Sequence, residues 1–182
     1  MAKTRTMRRK VKRSIRRTTK RSGKRQTYSQ GMTIEAVPLD ADTLRVDGTL
    51  DDPDHHIEVY IIVAVRTSKI IDVGARMLRQ PYPTCNKAMK RAQALVGMKI
   101  ERGFYEKLAV VVGGRDGCVH LIDILMASAK MAANAIIGIV VGGKNWNNLT
   151  DRDDEFHDRL MGRLEGMCIG FNRNEISRSR SK

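Results

Sequence analysis

The sequence predicts an α+β fold: a mainly antiparallel sheet followed by helices packed on one of its faces. Three observations carry that reading. Short segments in which apolar and polar residues alternate crowd the stretch from Met32 to Met77. Apolar stripes of helical spacing fill the second half, after residue 84. At 182 residues and 41% hydrophobic content the chain can bury a core of ordinary size, and with 4% aromatic residues that core is aliphatic and Met-rich.

The elements follow in order. Residues 1–26 combine dense Lys and Arg with Thr and Ser, so self-repulsion and lack of burial predict a disordered basic arm. Within it Met7, Val11 and Ile15 recur every four residues, a spacing compatible with an amphipathic helix on an anionic surface. MTIEAV and TLRVDGTL read as strands joined by the turn-prone Pro38 to Asp42. IEVYIIVAV (Ile57 to Val65) is the strongest strand, and with RTSK as a turn and KIIDVGARM beyond it forms an antiparallel hairpin. QPYP (Gln80 to Pro83) stops the sheet. Thr84 is placed to cap a helix in which Cys85, Ala88, Met89, Ala92, Leu95 and Val96 form one stripe before Gly97.

MKIERGFYEKLAVVV reads as a short connection to the loop GGRDG (Gly113 to Gly117). A second helix is expected from Cys118 to about Ile137, with Cys118, Leu121, Ile122, Leu125, Ala129, Ala132, Ala133 and Ile136 on its buried side. GGKNWNN is a linker, and Asp151 to Cys168 a third helix with Phe156, Leu160, Met161 and Leu164 inward. The domain organisation is thus an arm (1–26), an α+β domain (27–145), a helix packed on it (146–170) and a basic tail (171–182).

Charge is distributed unevenly. The formal net charge is +14, but the arm holds 13 of the 34 Lys and Arg and no acidic residue, leaving 21 basic against 20 acidic residues. Without Arg178, Arg180 and Lys182 the body is mildly acidic. No run approaches the roughly 20 apolar residues that span a bilayer, so no membrane span is expected, and no apolar signal segment opens the chain. Cys85, Cys118 and Cys168, odd in number and far apart, argue for a reducing, cytoplasmic location. The pattern leaves a homo-oligomer open.

Chemistry-bearing residues are few. Cys85 and Cys118 each fall at a predicted helix start, where partial positive charge and free N–H groups favour the thiolate, the form that binds metal, carries sulfur or attacks an electrophile. His120 lies two residues beyond Cys118. His55 and His56 precede the strongest strand, so alternation sends one toward the helices and the other away. One of them, with Cys85, Cys118 and His120, completes a mixed four-ligand set suited to zinc, iron or an iron–sulfur cluster, with Asp54 or Glu58 as outer partner or oxygen ligand. Against this stand plainer roles: a cysteine is often a small buried hydrophobe, and Cys168 reads as a helix-end core residue. His157, amid DEFHDR, reads as solvated, and GGRDG lacks the Gly-Lys-Ser/Thr ending of a phosphate loop.

The succession of His55-His56, KIIDVGA, PYPTC, LVGMKIERGF and GGRDGCVHLIDIL resembles a bacterial domain-of-unknown-function family, number 2889. That family is marked by a P-x-x-C segment, a Leu-x-Gly-Leu-x-Ile-x-x-Gly-Trp segment and a G-C-T-H-L-x-E-L-L helix start. The resemblance covers about Gln26 to Ile137 and leaves the arm and third helix outside; Val119, Phe104 and Asp123 depart from its Thr, Trp and Glu. It implies that the Cys and His positions are kept. A fainter likeness is to iron–sulfur assembly proteins of the NifU and SufE type, in which a hairpin precedes one helix-start cysteine and a later cysteine opens an Ala-rich helix. The early Cys-Gly-Asp element of those proteins is replaced here by DPDHHIE.

Three functions follow as expectations. The first is a metal or cluster pocket built on Cys85, Cys118, His120 and His55 or His56. The second is a small-molecule enzyme or sulfur carrier with Cys118 or Cys85 as nucleophile and His120 or His56 as acid–base group. The third is sequence-independent binding of nucleic acid or another polyanion by residues 1–26, whose cations lack interleaved aromatic residues to stack on bases.

Overall fold

The computed structural model describes residues 27–142 and 154–174. The arm, the linker around Trp146 and the last residues of the tail lie outside the described residues, with the expectations attached to them.

Four strands, β1 (Gly31–Pro38), β2 (Thr43–Asp51), β3 (His56–Ala64) and β4 (Lys69–Arg79), pair antiparallel in chain order. Connections this short allow only antiparallel neighbours. In the first, Asp40 accepts the Asp42 and Thr43 amides on Oδ1, both at 2.8 Å, which closes the Pro38 to Asp42 turn. Alternation puts Leu44, Val46 and Leu50 of β2 and Ile57, Val59, Ile61 and Val63 of β3 on one buried face. In β4 an irregularity between Ile62 and Val63 of the partner leaves Ile71 exposed, so Ile70 and Val73 both point inward. The opposite face is polar: Arg45 pairs with Asp47 at 2.7 Å and lies 4.6 Å above the Tyr60 ring. One apolar and one polar face confine the helices to a single side.

The stripe after Thr84 does not form one α-helix. A 3-10 turn (Pro83–Cys85), a single α-turn α1 (Asn86–Met89) and a second 3-10 segment (Lys90–Leu95) follow one another. Met89, Ala92 and Leu95 are buried three residues apart, the period of the tighter helix, so docking on β4 selects it. Thr84 caps nothing: the cap position is Tyr82, without a side-chain hydrogen bond, and Pro83 opens the turn.

The segment read as a connection contains a helix, α2 (Phe104–Val112), which buries Phe104, Leu108 and Val112 at four-residue spacing. Its β-branched end, Val110 to Val112, disguises that spacing. The long helix α3 runs from Val119 to Gly142, beyond Ile137, and lies across β1, β2 and β3. Gly48 of β2 admits it: a Cβ there would stand 2.6 Å from Ser128 Oγ and 3.0 Å from Val59 Cγ2. By length and composition alone α3 could cross a membrane, contrary to the expectation of no membrane span, although core helices meet the same criterion. It is also the main helix on the sheet, with Leu121, Leu125, Ala129 and Ala132 among its buried side chains.

The helix α4 (Asp154–Leu164) packs against α3 and buries Phe156 and Met161. It ends before Cys168, which is therefore exposed rather than a helix-end core residue.

Candidate metal centre

The β2–β3 connection is Asp52-Pro53-Asp54-His55, a turn sequence with Asp first and Pro second. The Asp52 N–H donates to the His55 carbonyl at 2.9 Å. Asp52 Oδ1 accepts the Asp54 and His55 amides, each at 2.8 Å, and Gln30 Nε2 donates to Oδ2 at 3.0 Å. The His55 ring completes the shell, with Nδ1 at 3.1 and 3.2 Å from the two carboxylate oxygens. The Asp52 side chain is fully buried.

Burial pushes the Asp52 carboxyl up, but hydrogen bonds from Gln30, the Asp54 and His55 amides and the His55 ring outweigh it and hold it well below the usual carboxylate range. An ionised carboxylate only accepts, so the His55 ring donates its Nδ1–H to Asp52. His120, in the first turn of α3, stacks on that ring, with centroids 3.9 Å apart and planes tilted by 34°. Asp52, His55 and His120 each offer a ligand atom within 4.8 Å of the others. Two imidazoles, one of them oriented by its contact with the Asp52 carboxylate, are donors suited to zinc or iron(II).

The structure sorts the residues singled out in the sequence. His55 turns toward the helices and His56 away: His56 Nδ1 is 3.0 Å from Asp51 Oδ1 and its Nε2 is 3.6 Å from Glu58 Oε1. Glu58 also pairs with Arg76, and Asp54 accepts the Tyr28 hydroxyl at 3.4 Å, so neither takes the outer-partner position that Asp52 holds. Cys85 and Cys118 are not in the gathered group; they line a separate cleft. The reason is angular. Positions i and i+2 of a helix point about 200° apart, so the C-x-H pair at the start of α3 faces two sides. Asp52 and Gln30 were not picked out in the sequence. The Asp-Pro turn was a usable signal for Asp52, whereas Gln30 reaches it only through tertiary placement.

The sequence model of a protein family, described as a protein of unknown function (DUF2889), matches residues 12–134. The match starts inside the basic arm, earlier than the Gln26 boundary read from the motifs, and ends within α3. No curated protein and no solved structure matches the chain significantly.

Proposed function

The chain belongs to the DUF2889 family, and on that premise we propose that its α+β domain binds a divalent transition-metal ion, zinc or iron(II), through His55 and His120 with Asp52. The single observation that carries this reading is the convergence of three ligand-bearing side chains from two separate elements within 4.8 Å, around a buried, ionised carboxylate. Nitrogen and oxygen donors favour a single ion over an iron–sulfur cluster, which requires thiolates. Asp52 orients His55 and supplies negative charge; His55 Nε2 and His120 supply the bonds. The three free cysteines favour a reducing compartment, and we expect the protein in the cytoplasm.

The test uses untagged protein, titrated with Zn²⁺ and separately with Fe²⁺ under reducing conditions, with metal and acid-labile sulfide assayed. One ion per chain and no sulfide are expected. Asp52→Asn should weaken binding about 10- to 100-fold, as loss of an orienting partner does, and His55→Ala or His120→Ala at least as much. Cys85→Ala and Cys118→Ala should leave it unchanged. Metal retained by the His55→Ala/His120→Ala double variant, or lost in Cys118→Ala with both histidines present, overturns the reading.

A further inference from the structure

Cys85 and Cys118 come from different elements, the 3-10 turn at Pro83 and the residue before α3, yet they line one open cleft of about 480 Å³. Lys87, Arg91 and Arg115 line it as well, against a single carboxylate, Asp116. Arg91 donates Nε–H to the Val111 carbonyl at 2.9 Å, which pins its guanidinium at the wall. Among the described residues neither Lys87 nor Arg115 pairs with a carboxylate, so their charge is available to a ligand.

The loop that carries Arg115 and Cys118 is held in place. A Cβ on Gly117 would run into the Val112 and Gly113 carbonyl oxygens, and one on Gly113 into the Ala109 carbonyl oxygen. The Cys118 N–H donates to the Val112 carbonyl at 3.3 Å, and the Cys118 carbonyl accepts the Ile122 amide at 3.1 Å. GGRDG is therefore a loop pressed onto the end of α2, and the thiol stands at the positive end of a 24-residue helix. Two thiols, three cations and one carboxylate thus line one cleft.

We propose that this cleft binds a small oxyanion-bearing electrophile, its carboxylate or phosphate held by Lys87, Arg91 and Arg115 and its reactive carbon presented to Cys118 or Cys85. In the step the cysteine gives up its proton to solvent and its sulfur forms the bond to that carbon. The carbon's leaving group departs with the bonding electron pair. This site stands apart from the histidine group, and its fate is separable from that of the metal reading.

Iodoacetate and iodoacetamide test it, because both give an S–C bond with loss of iodide and differ in charge. Alkylation rates are mapped to each cysteine by mass spectrometry, with exposed Cys168 as internal reference. A predominantly cationic cleft concentrates anions about tenfold or more, so the iodoacetate-to-iodoacetamide rate ratio at Cys118 or Cys85 should exceed that at Cys168 by about tenfold. Lys87→Ala and Arg115→Ala, both exposed positions whose loss leaves the core intact, should bring it down toward the Cys168 value.

At constant ionic strength, inorganic phosphate or acetate should slow alkylation in the cleft and not at Cys168. The more effective competitor identifies the oxyanion. Equal ratios at all three cysteines, or ratios indifferent to both variants and both competitors, overturn the proposal. Protection of both cleft thiols by Zn²⁺ with no oxyanion effect overturns it too, and returns them to a metal.

Discussion

Asp52 does two jobs with one carboxylate: it closes the β2–β3 turn by accepting two amides, and it accepts a hydrogen bond from His55 Nδ1. Its stability contribution has a definite sign. The folded-state value lies below that of the unfolded chain, near 4, so the contribution is present above that pH and fades as pH falls through the folded value. In EDTA at pH 7, Asp52→Asn should cost about 2 kcal/mol, the scale of hydrogen bonds to a charged group. The gap between wild type and variant should narrow as pH drops below about 4. Urea titrations at pH 7, 5 and 3 measure it. A gap that stays constant with pH would show that the carboxylate charge is not what the turn uses.

Between elements, the contact that positions His120 is the crossing of α3 over β2 at Gly48. Ser128 Oγ is buried there with no hydrogen-bond partner among the described residues. Ser128→Ala should therefore be neutral or stabilise by up to about 1 kcal/mol. Gly48→Ala should destabilise by about 1–3 kcal/mol through overpacking. Because the new methyl meets Ser128 Oγ first, the double variant should recover part of that loss, a coupling that thermal or urea denaturation of all four proteins resolves. Strict additivity would mean that Val59 and Ile124, the next neighbours, set the spacing instead. The same scale explains the missed helix: α2 exists because Phe104, Leu108 and Val112 find a core, although the Val110 to Val112 run favours strand. It also explains the 3-10 turns after Pro83, since burial on β4 at every third residue is a property of the partner surface.

For the whole molecule, charge and fold are separate. The arm carries 13 of the 34 cations, yet the family match begins at residue 12, so the matched region includes more than half of it. If the arm tethers the protein to a phosphate polymer, deleting residues 1–26 should abolish retention on that polymer at low salt, and retention of the full chain should fall steeply as salt rises. Deleting only residues 1–11 leaves the matched region whole and should weaken retention less. Retention indifferent to both deletions would make the arm a solvated extension.

The sheet-then-helix order, both strand hairpins and the long helix after Cys118 were all legible in the chain. Alternation and helical periodicity are local properties, written in neighbouring residues. The identity of the site was not. His55, His56, His120, Cys85 and Cys118 were all recognisable as chemistry-bearing residues, but which of them meet depends on direction. The turn at Asp52 aims His55 at α3, the chain entering α3 sends Cys118 and His120 to different sides, and the segment at Gln30 folds back onto Asp52. The sequence by itself determined the architecture and the stock of reactive groups. Only the tertiary structure decided that these groups divide into a histidine–carboxylate centre and a cationic thiol cleft, because grouping is set by the angles at which separate elements present their side chains.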